Sequence, residues 1–280
     1  MKNESGYFEG RELKNLFYQY WIPDNDIKAY IVAIHDLATH SDRLKSLAEF
    51  LTNEGYAVYA FDLRGHWRNA GEFPGHIDSL DHIQKDILLF MDVVRKDAGE
   101  KKVFLMGHSL GGLISIIYAI NHPGLPSVVV SSPTLGLFLE SLVDKKIAKK
   151  LAGSVAKLAP NKLIKISIDQ NQLTSDLKIL RKQIADKNKL ETITAKTLSE
   201  INSAMKWAIN NASELICPIL IQQSGNDKLV DKKKNEEFFN KVKSEDKAYR
   251  EYDGLLHDLW NEKGRAQVFQ DLYIWLEKHL

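Results

Sequence analysis

Gly107-His108-Ser109-Leu110-Gly111 stands between the apolar run Lys102-Val103-Phe104-Leu105-Met106 and the helix-like Gly112-Leu113-Ile114-Ser115-Ile116-Ile117-Tyr118-Ala119. A G-x-S-x-G pentapeptide between a strand and a helix is a nucleophile elbow, in which the serine takes a strained tight turn and its hydroxyl is exposed. The flanking glycines, Gly107 and Gly111, let strand and helix approach where a Cβ would clash. Ser109 is the candidate nucleophile on these local grounds.

Outward from the elbow, short β-branched runs alternate with helical periodicity. Strands are predicted at 17–22, 29–34, 57–61, 103–106, 128–130, 219–223 and 248–252, and helices at 43–53, 79–96, 110–121, 231–242 and 264–279. This alternation predicts an α/β fold: a doubly wound, mostly parallel sheet with ligands at the carboxyl ends of its strands. From 134 to 212 the rhythm stops and only helical patterning is read. There Leu139, Leu142, Val143, Ile147, Leu151, Val155 and Leu158 recur at helical spacing, with Lys145, Lys146, Lys149, Lys150 and Lys157 largely off that face. The expected organisation is a core of 1–133 and 213–280 interrupted by a helical cap, 134–212.

A serine hydroxyl is a weak nucleophile until a base takes its proton, and the base needs a partner that fixes its tautomer. Two later strand-to-loop junctions supply them. Asp227 follows Ile219-Leu220-Ile221-Gln222-Gln223 through Ser224-Gly225-Asn226, and His257 follows the strand at 249–252 through Asp253-Gly254-Leu255-Leu256. Both junctions lie at the sheet edge that carries Ser109. Asp231 is a rival carboxylate, but the Lys232-Lys233-Lys234 run after it reads as the start of a helix that Asp231 caps.

With these residues in place, the chain resembles the monoglyceride lipase and lysophospholipase group of the α/β-hydrolase fold. The matching pieces are His35-Asp36-Leu37-Ala38-Thr39-His40, Asp62-Leu63-Arg64-Gly65-His66, Gly107-His108-Ser109-Leu110-Gly111-Gly112, Ser224-Gly225-Asn226-Asp227-Lys228-Leu229-Val230-Asp231 and Gly254-Leu255-Leu256-His257. They run in family order over nearly the whole chain. The resemblance implies that Ser109 attacks an ester carbonyl, His257 shuttles the proton and Asp227 orients and charge-stabilises His257. It also implies that the backbone N–H groups of Leu37 and Leu110 hold the oxyanion. One position departs: where the family usually has glycine after the first histidine, this chain has Asp36. A carboxylate pointing into the oxyanion site opposes the charge that develops there.

The implied substrate is a small lipid ester with one acyl chain, most directly monoacylglycerol. Lysophospholipid, thioester or amide substrates are the alternatives, and a non-catalytic binder of a small apolar ligand is a distant one. At 280 residues, 44% hydrophobic and a net charge of +1, the chain is long enough for one large core and has no general attraction to nucleic acid. Cys217, the single cysteine, precludes an intramolecular disulfide and reads as a small buried hydrophobe. Met1-Lys2-Asn3-Glu4-Ser5-Gly6 is polar, and no apolar run is long enough to span a bilayer, so a cytoplasmic setting is expected. The lysine-bearing cap also fits transient contact with a membrane surface, its apolar face in lipid and its lysines among headgroups. His35 and His40 read as loop-organising residues. No histidines and acids fall at metal-ligand spacing, so no metal and no cofactor are expected. Neither composition nor motifs specify an oligomeric state.

Overall fold

The structure, a computed structural model, describes residues 1–143 and 159–280. Its centre is a parallel core of β3 (Ala29–Ile34), β4 (Tyr56–Phe61), β5 (Val103–His108), β6 (Val128–Ser131), β9 (Ile219–Ser224) and β10 (Lys247–Tyr252). Two antiparallel strands, β1 (Lys2–Glu9) and β2 (Asn15–Ile22), extend one edge, giving the order β1-β2-β4-β3-β5-β6-β9-β10. Every residue of β3, β4 and β5 is buried, as expected of parallel strands covered on both faces.

One face is covered by α2 (Leu80–Ala98) and α3 (Leu110–Asn121), which pack with Val32, Ile34, Leu105 and Val130. In α2, Ile83, Ile87, Phe90, Met91 and Val94 make one buried stripe, and the Ser79 hydroxyl caps the helix by accepting the Asp81 N–H. The opposite face is covered by α1 (Lys45–Asn53) and the C-terminal helix Arg265–Lys278, whose Leu47, Leu51, Leu272 and Leu276 meet Ile31, Val58 and Met106. The arrangement is doubly wound, and the fold is that of an α/β hydrolase.

The insertion between β6 and β9 is not wholly helical, contrary to the expectation for 134–212. Its described part contains α4 (Leu139–Leu142), α5 (Leu177–Ala185) and α6 (Ala195–Asn210), and also two short antiparallel strands, β7 (Leu163–Lys165) and β8 (Thr192–Thr194). Three-residue strands, β7 burying only Ile164 and β8 burying Ile193 and Thr194, carry too little alternation to be read from sequence. Ile147, Leu151, Val155, Leu158 and the lysines among them lie outside the described residues. The edge strand β1 likewise adds to the predicted strands. One further helix, α7 (Lys232–Lys241), follows β9, and the C-terminal helix, α8 (Arg265–Lys278), follows β10; both match the predicted positions. Among the described residues no helix is long and apolar enough to cross a membrane.

Candidate active site

Ser109 lies between β5 and α3 with φ 53° and ψ −114°, a conformation that L-residues rarely adopt. The two glycines explain how this turn is tolerated. A Cβ on Gly107 would sit 2.2 Å from the Gly111 carbonyl oxygen, and one on Gly111 would sit 2.3 Å from that of Ile34. The turn is tied to β6 by the Ser109 N–H donating to the Ser131 carbonyl at 2.9 Å.

The three residues expected to act together are brought together. The Ser109 hydroxyl lies 3.0 Å from His257 Nε2, and His257 Nδ1 lies 2.8 Å from Asp227 Oδ2. A carboxylate only accepts, so the imidazole proton is on Nδ1 and the Nε2 lone pair faces the serine. The other Asp227 oxygen accepts the N–H groups of Leu229 and Val230, each at 2.9 Å, which fixes the carboxylate from behind. Asp231, the rival acid, instead caps α7 by accepting the Lys233 N–H at 3.1 Å. Ser109 is 6% and His257 1% exposed, so the hydrogen-bond chain is shielded from competing water.

The charges reinforce one another. Burial pushes the His257 imidazole towards neutrality, but the attraction and hydrogen bond of Asp227, with Asp36 and Asp258 beyond it, override that and raise its pKa. For Asp227, burial works to raise the carboxyl, and His257 with the Val230 and Leu229 N–H groups holds it below the usual carboxylate range.

Leu110 opens α3, so its N–H has no partner inside the helix and is presented beside the nucleophile. Leu37 differs. Its N–H donates to Oδ1 of Asp36 at 2.5 Å, so the departing residue turns inward and engages the expected oxyanion donor. Two buried histidines hold this loop. His35 accepts the Leu63 N–H through Nε2 at 2.9 Å and donates from Nδ1 to the Asp36 carbonyl at 2.7 Å. His66 accepts the Ala38 N–H at 3.1 Å and donates to the Arg64 carbonyl at 2.9 Å. Burial drives both pKa values down, that of His66 to about 4, so both act as neutral struts.

Sequence reasoning missed Thr134, whose hydroxyl lies 3.1 Å from that of Ser109, and Asp258, buried beside His108. Neither carries a local motif. Cys217 is buried away from the site with its thiol pKa pushed up to about 11, as suits an unreactive core residue. Next to the oxyanion loop is an open cleft lined by Ile166, Ile168, Leu173 and Leu190 together with the charged side chains of Arg43, Lys165, Lys189 and Glu191.

The elbow, the hydrogen-bonded serine–histidine–aspartate set and the doubly wound sheet together define a serine hydrolase of the α/β-hydrolase class. Comparison with known proteins narrows this. The model of the family described as serine aminopeptidase, S33, matches residues 25–264, and the chain belongs to that family. It is 30% identical to the monoglyceride lipase of Homo sapiens, over 94% of this chain and 87% of that protein. It is 29% identical to phospholipase YtpA of Bacillus subtilis (strain 168), over 93% of this chain and 99% of the relative. Among solved structures, the monoacylglycerol lipase of Paleococcus ferrophilus superposes with a TM-score of 0.81 at 27% identity, covering 95% of this chain and 99% of that one. The chain is a serine carboxylic ester hydrolase.

Proposed function

We propose that this hydrolase cleaves monoacylglycerol to fatty acid and glycerol through an acyl-enzyme on Ser109. The observation that carries the proposal is the unbroken chain from the Ser109 hydroxyl to His257 Nε2 and from His257 Nδ1 to Asp227, at 3.0 and 2.8 Å. His257 takes the serine proton as Oγ attacks the ester carbonyl, and Asp227 stabilises the imidazolium. The Leu110 N–H holds the developing oxyanion, joined by that of Leu37 once the Asp36 carboxylate turns away. His257 gives its proton to the departing glycerol, then activates water to release the acid. Monoglyceride and monoacylglycerol lipases among the relatives support the substrate class, as does an open cleft beside the oxyanion loop that offers Ile166, Ile168, Leu173 and Leu190 to a single acyl chain.

A specific feature favours a second reading, lysophospholipid. Arg43, Lys165 and Lys189 line the same cleft and outnumber its carboxylates, Asp36 and Glu191, which favours a phosphate head, and one relative is named a phospholipase. Acid release from monoacylglycerol and lysophosphatidylcholine of matched acyl chain separates the two. Higher kcat/KM on the glycerol ester supports the first; the reverse order replaces it with the second.

Residues 134–212 are proposed as a cap over this cleft. Phe138, Leu163, Leu177 and Ile184 are exposed on it and support transient contact with a lipid surface. Flotation with liposomes tests this: co-flotation is expected, and recovery of all the protein from the bottom fraction overturns it.

A further inference from the structure

Asp36, His108 and His257 come from three separate loops and strand ends, yet each places a ligand-type atom within 4.8 Å of the others. The two imidazoles are oriented alike. His257 Nδ1–H donates to Asp227 at 2.8 Å, and His108 Nδ1–H donates to the Ser131 carbonyl at 3.1 Å, leaving each ring a bare Nε2 lone pair. This arrangement, Nδ1 tied to an oxygen acceptor and Nε2 free, is how metal-binding histidines are held. His257 Nε2 is occupied by the Ser109 hydroxyl. His108 Nε2 is a buried atom with no hydrogen-bond partner among the described residues, and the His108 side chain is about nine-tenths buried. No step of ester hydrolysis uses it. Asp258 Oδ1 stands 3.9 Å from that atom, adding negative potential where a cation would sit.

We propose that Asp36, His108 and His257 form a reversible inhibitory site for a divalent transition-metal ion, with Zn²⁺ as the fitting occupant. Two imidazoles and one carboxylate suit zinc and its neighbours, whereas Ca²⁺ and Mg²⁺ prefer oxygen-only sets. Bonds of about 2.0–2.2 Å require the three donors to draw inward by about 1 Å, a shift within reach of side-chain torsions, and water completes a tetrahedron. Coordination consumes the Nε2 lone pair of His257, so Ser109 keeps its proton and hydrolysis stops. It also draws the Asp36 carboxylate off the Leu37 N–H. Asp36 thereby supplies the anionic ligand at the position where the resembling family carries glycine.

Calorimetric titration with ZnCl₂, paired with the visible absorption of added CoCl₂, tests this on the intact chain. Both readouts need no substrate, so their outcome is separate from the substrate assignment. One ion per chain is expected for wild type and also for Ser109→Ala, which retains all three ligands. Asp36→Ala and His108→Phe, each confirmed folded by circular dichroism, should each weaken Zn²⁺ binding at least tenfold and abolish the Co²⁺ band. Zinc should inhibit the wild type, with activity restored by EDTA. No binding to wild type, or equal binding by both ligand variants, overturns the site.

Discussion

The carboxylate of Asp36 accepts the N–H of its own neighbour Leu37 at 2.5 Å, engaging the donor expected to steady the oxyanion. A substrate carbonyl must displace this internal anion before both N–H groups can act on it. The loop backbone is held by His66, which accepts the Ala38 N–H, and by His35, which accepts the Leu63 N–H, so displacement by substrate falls to the side chain of Asp36.

Removing that side chain should therefore raise activity. Asp36→Gly is expected to increase kcat by about tenfold, part of the 10²–10³ that one oxyanion donor contributes. Steady-state hydrolysis of a p-nitrophenyl ester measures it. An unchanged or lower kcat in a folded variant would show that Leu37 does not serve as a donor.

Charge can be separated from shape with Asp36→Asn, which keeps an oxygen for the Leu37 N–H. His257 must be neutral to accept the serine proton, so activity rises with pH through its raised pKa. Because the Asp36 anion helps hold the imidazolium, its loss should move the acid limb of kcat/KM to lower pH. A limb that stays in place would mean that Asp36 and His257 are not electrostatically coupled.

The two neighbouring aspartates should behave differently. Asp227→Asn breaks the bond that fixes the His257 tautomer and should lower kcat by about 10⁴ without unfolding the protein. Asp231→Ala removes a helix cap and should cost about 1 kcal/mol of stability, leaving kcat unchanged. Parallel kinetics and thermal melts distinguish them.

Much of this site could be read from the sequence because Ser109 directly follows β5, while Asp227 and His257 lie in the short loops that leave the carboxyl ends of β9 and β10, and strand ends in such sheets share one edge. The antiparallel edge strand β1 could not. Its opening residues, Lys2-Asn3-Glu4-Ser5-Gly6, are polar, and of the whole strand only Phe8 is fully buried. The inward turn of Asp36 and the approach of His108 to it depend on loops that meet across the sheet edge, which spacing along the chain does not encode. Thr134 joined the site for the same reason, through the return of the chain from β6.

The elbow itself carries a stability prediction. Gly107→Ala places a Cβ against the Gly111 carbonyl and the Ser115 hydroxyl, in a region where neither strand nor helix can retreat. A loss of about 3 kcal/mol or more is expected from such overpacking, seen as a fall in the denaturant midpoint. A midpoint equal to wild type would mean that strand and helix approach less closely than described.

The most direct test of the account is release of fatty acid from monoacylglycerol by wild type and by Ser109→Ala, with folding confirmed by circular dichroism. The wild type should release acid, and Ser109→Ala should lose nearly all turnover while keeping its fold. Undiminished turnover in the folded variant, or no cleavage by the wild type, would contradict the account.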